Sequence, residues 1–280
     1  MASSTSDMPF IRQLASSDRP ERAAALESLR TFLGAAAISS RLTRLDHLKL
    51  WKGLYYSLWM CDRPVPQQNL CAELAALVDV LPDDPAAVAP WLAAFWETVG
   101  REWTGIDVYR LEKFMLLVRR VLAAGLAWAC ADLPDDDDAG GKTKTKTKKG
   151  SRRREGHGGG RIDALLENLA AWPLETGDDL SRVPVGLRLH VLDIWVDEVE
   201  KLGLLDAEKT GEPGRRFLDR LRALVEAQTR STCKPVRMRA KETLADDRLP
   251  SNAGEMGDDG VGESTKVDSG DKDSWDGFDD

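Results

Sequence analysis

"HLKLWKGLYYSLWMCDRPVPQQ", residues 47–68, sets two tryptophans and two tyrosines among Lys49, Lys52 and Arg63. Two kinds of structure share that composition. In a nucleic-acid platform, bases stack on the rings while cations hold phosphates; in an ordinary amphipathic helix, the rings are core. Spacing separates them. On a helix beginning near Asp46, Leu48, Trp51, Leu54, Tyr55, Leu58 and Trp59 cover one broad apolar face. Lys49, Lys52 and Tyr56, three and four residues apart, share the opposite face. The tryptophans are therefore expected to anchor this helix against its neighbours. What is left for recognition is the outer strip of Lys49, Lys52 and Tyr56, with Arg63 at the turn. Such a strip holds phosphate or an acidic protein surface without reading sequence. The plain alternative is a solvated helix face.

Outward from this stretch the chain reads as helix after helix. Upstream, "SSDRPERAAALESLRTFLG" carries Asp18 as N-cap, Pro20 in the first turn, Glu21 at the capping-box position and Gly34 as terminator. Downstream, Pro64 stops the opening helix near Arg63, and Pro66 starts another that runs through Leu81. "PWLAAFWETVGREW" is a fourth helix, followed by Asp107 as the cap of a fifth. In that fifth helix Leu111, Phe114, Met115, Val118, Val121, Leu122 and Gly125 form one stripe. Arg110, Lys113 and Arg120 lie off it and are expected to be exposed. "RIDALLENLAAW", "VGLRLHVLDIWVDEVEKLGLL" and "RRFLDRLRALVEAQTR" continue the pattern, and no period-2 run suggests a strand.

Paired amphipathic helices with short connectors predict an all-α, helical-repeat solenoid of the HEAT or armadillo kind. No fixed-period signature recurs, so the repeats would be degenerate, and a compact helical bundle is the alternative. The expected division is helical repeats over 8–132, an insert over 133–160, further helices of the same solenoid over 161–245, and a tail over 246–280. The insert, "LPDDDDAGGKTKTKTKKGSRRREGHGGG", lacks apolar anchors and is expected to be disordered, as is the acidic tail. The tail holds twelve acidic and three basic residues, so the formal charge of −8 belongs to it and the rest is near +1. The overall acidity thus says little against an anionic partner for the body. Within the insert, Lys142, Lys144, Lys146, Lys148, Lys149, Arg152, Arg153 and Arg154 have the cation density of a nuclear-localisation signal or RNA tether. In the tail, Trp275 and Phe278 stand three apart among acids, a candidate partner motif.

Chemistry-bearing patterns are not found. Four scattered cysteines and three scattered histidines argue against a zinc site or disulfide framework. No P-loop, nucleophile elbow or His-Glu-x-x-His pattern occurs. Asp83–Asp84 and Asp178–Asp179 read as solvated loop charges, and His47 and His190 as hydrogen-bond partners rather than bases. No signal peptide or membrane span is expected, nor any cofactor, metal, small-molecule substrate or catalytic residue.

Three segments carry a family resemblance: "LKLWKGLYYSLWMCDRPVPQQNL", "FWETVGREWTGIDVYRLEKFMLLVRRVL" and "VPVGLRLHVLDIWVDEVEKL". In order and spacing they resemble the nucleolar ribosomal RNA-processing protein 1 family, from about Phe10 to about Arg248. The resemblance implies α-helical repeats and a nuclear, nucleolar, non-enzymatic assembly factor of the large ribosomal subunit. It implies the pre-60S particle, its precursor rRNA, and WD-repeat and Brix-domain assembly factors as partners. It transfers no contact residues, so Lys49, Lys52, Tyr56, Arg63, Arg110 and Lys113 are candidates from face geometry alone. The alternative is a protein-only helical-repeat adaptor without direct RNA contact.

Overall fold

The computed structural model describes residues 9–133, 160–206 and 210–252. Among them the regular structure is helical: α1 (Pro9–Leu14), α2 (Arg19–Gly34), α3 (Ala36–Ser39), α4 (Arg44–Trp59), α5 (Pro64–Ala75), α6 (Pro85–Glu102), α7 (Val108–Cys130), α8 (Arg161–Ala171), α9 (Val185–Lys201), α10 (Gly211–Ala227) and α11 (Lys234–Leu244). A 3₁₀ turn over Ala76–Val80 prolongs α5. From α4 onward the helices form two rows. In one, α4 packs on α6, α6 on α8 and α8 on α10; in the other, α5 packs on α7, α7 on α9 and α9 on α11. Alternate helices thus stack along a common axis, as in an α-solenoid rather than a compact bundle.

Local chemistry explains the boundaries. Asp46 is not the first residue of α4 but the third, closing a capping box. Its backbone N–H donates to Thr43 Oγ1 at 3.3 Å, and its carboxylate accepts the Thr43 N–H at 2.9 Å. Helix α5 begins at Pro64, not Pro66, because the missing proline N–H is harmless in a first turn. Helix α6 begins five residues before "PWLAAFW", at Pro85, with Asp84 accepting the Ala86 N–H at 2.9 Å. Pro90 is carried inside it, exposed in its second turn. Asp107 caps α7 as expected, accepting from the N–H groups of Tyr109 and Arg110. Short α1 and α3, and α11, were not legible as helices in the sequence reading.

The core runs through both rows. Trp51, Phe114 and Trp195 are each 2% exposed or less. Trp51 donates from Nε1 to the Trp91 carbonyl at 2.9 Å, and its ring lies 4.7 Å from the Trp91 ring and 4.9 Å from Phe95. Gly53, inside α4, lets α1 approach: a Cβ there would stand 3.3 Å from Leu14 Cδ1 and 3.4 Å from the Ile11 carbonyl. The packed body also passes the expected boundary at Asp246. Leu249 is fully buried, and Arg248 reaches back to Glu200 and Asp197 on α9. At the start of the expected insert, Leu133 likewise packs against the core. The basic cluster Lys142–Arg154 and the Trp275/Phe278 pair lie outside the described residues.

Candidate functional site

The outer strip of α4 does not stand free in solvent. Lys49, Lys52 and Tyr56 are half-buried and line a groove of about 500 Å³ between α1, α4 and the end of α6. Ile11, Ala15 and Leu48 supply apolar wall, and Leu45, 59% exposed, stands at its edge. Arg12 and Arg101 add two cations that the face reading of α4 could not supply, since they come from other helices. Lys52 Nζ lies 2.6 Å from Glu102 and 4.9 Å from the Tyr56 ring centroid, so it is held by an ion pair and a cation–π contact. Glu102 also meets Arg101 at 3.3 Å. One carboxylate thus stands against two cations, and Arg12 and Lys49 complete a rim that is positive overall.

The other candidates separate. Arg63, the N-cap of α5, is exposed and sits at a different opening, beside Arg19 and Arg22. Arg110 is half-buried; its guanidinium bonds Asp107 and lies 4.7 Å over the Trp59 ring. That bond is the main reason the Asp107 carboxyl titrates below its usual range.

Lys113 corrects the sequence reading. It was expected on the exposed face of α7 and is buried, 5% exposed. Its Nζ donates to the carbonyl of Trp59 at 2.9 Å and of Cys61 at 2.8 Å, closing the C-terminal end of α4. From the other side Arg22, 8% exposed, donates to the Met60 carbonyl at 3.4 Å. The ammonium of Lys113 is therefore structural and not offered to a partner. Burial holds its pKa below the ordinary lysine value, with Asp62 opposing that fall.

The acidic pairs and histidines also have structural employment. Asp83 pairs with Arg161 and Asp84 caps α6. Asp178 accepts from Ser231 Oγ and the Thr232 N–H, and Asp179 from Ser181 and Arg182. Asp83, Asp84 and Asp179 are exposed, the solvated charges expected, and they also fasten their loops; Asp178 is half-buried. His190 Nε2 lies 2.8 Å from the Met115 carbonyl, and His47 packs edge-on to Trp91. Desolvation lowers the pKa of both. Burial pushes the thiols of Cys71 up to about 12 and Cys130 up to about 11, which keeps them protonated. Among the described residues no group of three or more His, Cys, Asp or Glu is placed to hold a metal. No described helix is long and apolar enough to cross a membrane.

Two stacked rows of helices, flanked by a cation-rimmed apolar groove, define an α-solenoid. The chain belongs to the Nop52 family: the family profile described as "Nucleolar protein, Nop52" matches residues 5–277. It is 32% identical over 215 residues to ribosomal RNA processing protein 1 homolog A of Mus musculus, covering 76% of this chain and 38% of that protein. The Homo sapiens homolog A is 31% identical over 215 residues, 76% of this chain and 40% of that protein. The Drosophila melanogaster homolog is 38% identical over 117 residues, 41% of this chain and 17% of that protein. The chain thus spans two fifths or less of the length of these relatives.

Proposed function

We propose that this protein is a non-enzymatic ribosome-biogenesis factor. It acts as a nucleolar scaffold on pre-60S particles while the large-subunit precursor rRNA is processed. The observation that carries the reading is the family match over residues 5–277, together with relatives named for ribosomal RNA processing. The groove between α1, α4 and α6 supports it, because a mixed surface of Leu45, Tyr56, Arg12 and Lys49 suits an assembly-factor or ribonucleoprotein partner. WD-repeat and Brix-domain assembly factors are the partners this reading names. The Lys142–Arg154 cluster would then serve nuclear entry or RNA tethering, and the Trp275/Phe278 pair partner capture.

Sucrose-gradient sedimentation of tagged protein tests it. Wild type is expected in pre-60S fractions, and Leu45→Glu/Lys49→Glu near the top, with spacer processing slowed. If wild type itself stays at the top, the particle reading fails. If the double variant co-sediments normally, the groove is not the contact surface.

A further inference from the structure

A second cationic opening lies where α2 and α5 begin. Arg19, Arg22 and Arg63 line one open cavity of about 340 Å³, with Asp62 as the acid in its wall. A smaller cavity of about 160 Å³ adjoins it, sharing Arg19 and Arg22, with the exposed Asn69 and Glu73 at its rim. Arg19 and Arg63 are exposed; Arg22 is 92% buried, being 8% exposed. The Arg22 guanidinium bonds only carbonyl oxygens: Ser16 at 2.8 Å, Ser17 at 2.9 Å and Met60 at 3.4 Å. Among the described residues, none of the three arginines forms an ion pair.

Carbonyl dipoles orient a cation without cancelling its charge, and a buried cation without counter-charge is costly. Arg22 and Lys113 together bring two full charges to the end of α4, which carries about half a negative charge. Arg19 and Arg63 add two more at the mouth, and Asp62 and Glu73 remove two. The cavity is left positive. The first turn of α5 carries no acid and no side-chain cap, so its free N–H groups add to the positive potential, whereas on α2 Asp18 and Glu21 offset that contribution.

We propose that this cavity is a phosphate site that takes a phosphodiester of an RNA strand. The inference rests on the particle reading above and deepens it by naming the RNA backbone as a ligand. A phosphodiester offers two unesterified and two ester oxygens to guanidinium forks arriving from different helices, whereas a carboxylate offers two oxygens in all. No aromatic ring lines the cavity, so a base has nothing to stack on. Binding there is through the backbone and independent of sequence.

The test is fluorescence anisotropy of a labelled oligouridylate on the full chain across a salt series. Arg19→Gln/Arg63→Gln should bind at least about tenfold more weakly. Its slope of log affinity against log salt should fall by about 1.4, two contacts at about 0.7 each on a single strand. Arg230→Gln/Lys241→Gln, exposed cations at the other end of the solenoid, should change neither. Equal losses in the two double variants would assign the effect to net charge and overturn the site. So would unchanged binding by Arg19→Gln/Arg63→Gln, or a polyglutamate peptide competing as well as unlabelled RNA. Any of these beside normal pre-60S sedimentation of wild type would sink the phosphate site and leave the scaffold reading standing.

Discussion

The ammonium of Lys113 on α7 donates to the carbonyl of Cys61 at 2.8 Å, across 52 residues of chain, and so ties the two rows of the solenoid at the end of α4. A second bond from the same nitrogen to Trp59 closes the adjacent carbonyl. Unmade, the Trp59 carbonyl would lose this donor outright, whereas the Cys61 carbonyl would keep Gln67 Nε2 at 2.7 Å.

Lys113→Met should therefore destabilise the fold by about 1–3 kcal/mol, one acceptor orphaned and a second left with Gln67 alone, less the relief of burying a charge. For a body of this size that is a fall in Tm of about 2–12 °C, read by thermal denaturation. The sign with pH also follows. Burial holds the folded pKa below the ordinary 10.5, so between the two values the unfolded chain binds the extra proton. Wild-type stability relative to Lys113→Met should rise with pH through that window. A variant as stable as wild type would return Lys113 to the surface.

The histidines set the acid side. His190, beside the Met115 carbonyl, and His47, beside Trp91, both have folded pKa values below 6.5, chiefly through desolvation. As pH falls below 6.5 the unfolded chain protonates first, so stability is lost until the folded values are passed. Urea denaturation at pH 7.5 and 5.5 should show the loss, and His190→Gln should show less of it. Equal losses in both proteins would mean that His190 does not contribute.

Trp51, Phe114 and Trp195 span three helices of the core, and truncating any one to alanine should cost about 3–5 kcal/mol. Trp51→Phe keeps most of the area but removes the side-chain bond that the Trp91 carbonyl accepts beside its intrahelical one, and should cost about 0.5–1.5 kcal/mol. Denaturant midpoints measure both. Variants melting with wild type would refute the core placement.

Lys49 and Lys52 should differ under charge reversal, although both face the same groove. Lys49→Glu alters a half-buried rim residue and should move stability within about 0.5 kcal/mol. Lys52→Glu sets a second carboxylate where Glu102 now accepts an ammonium at 2.6 Å, and removes the cation over Tyr56. It should cost more, about 1–2 kcal/mol. Matching melting temperatures for the two variants would show that the Glu102 pair is solvated.

Much of this arrangement is written in local chemistry. Asp84, Asp107 and the Thr43–Asp46 box begin helices because their oxygens meet orphan N–H groups one turn away. The period of Leu48, Trp51, Leu54 and Tyr55 assigns an inward face to α4 before any neighbour is known. The family motifs are legible for the same reason, since a linear string carries them whole. Lys113 shows where such reading ends. It stands beside Phe114 at the edge of an apolar stripe, and nothing within α7 says that the carbonyls of Trp59 and Cys61 lie waiting there. The groove needed Arg12 and Arg101 from α1 and α6, and the arginine cavity needed α2 to meet α5. Leu249 is buried only because Arg248 and its neighbours fold back over α9. A residue's helical face depends on bonds within about four positions of chain. The fate of a charge on that face depends on the dielectric and the acceptors brought to it by helices dozens of residues away.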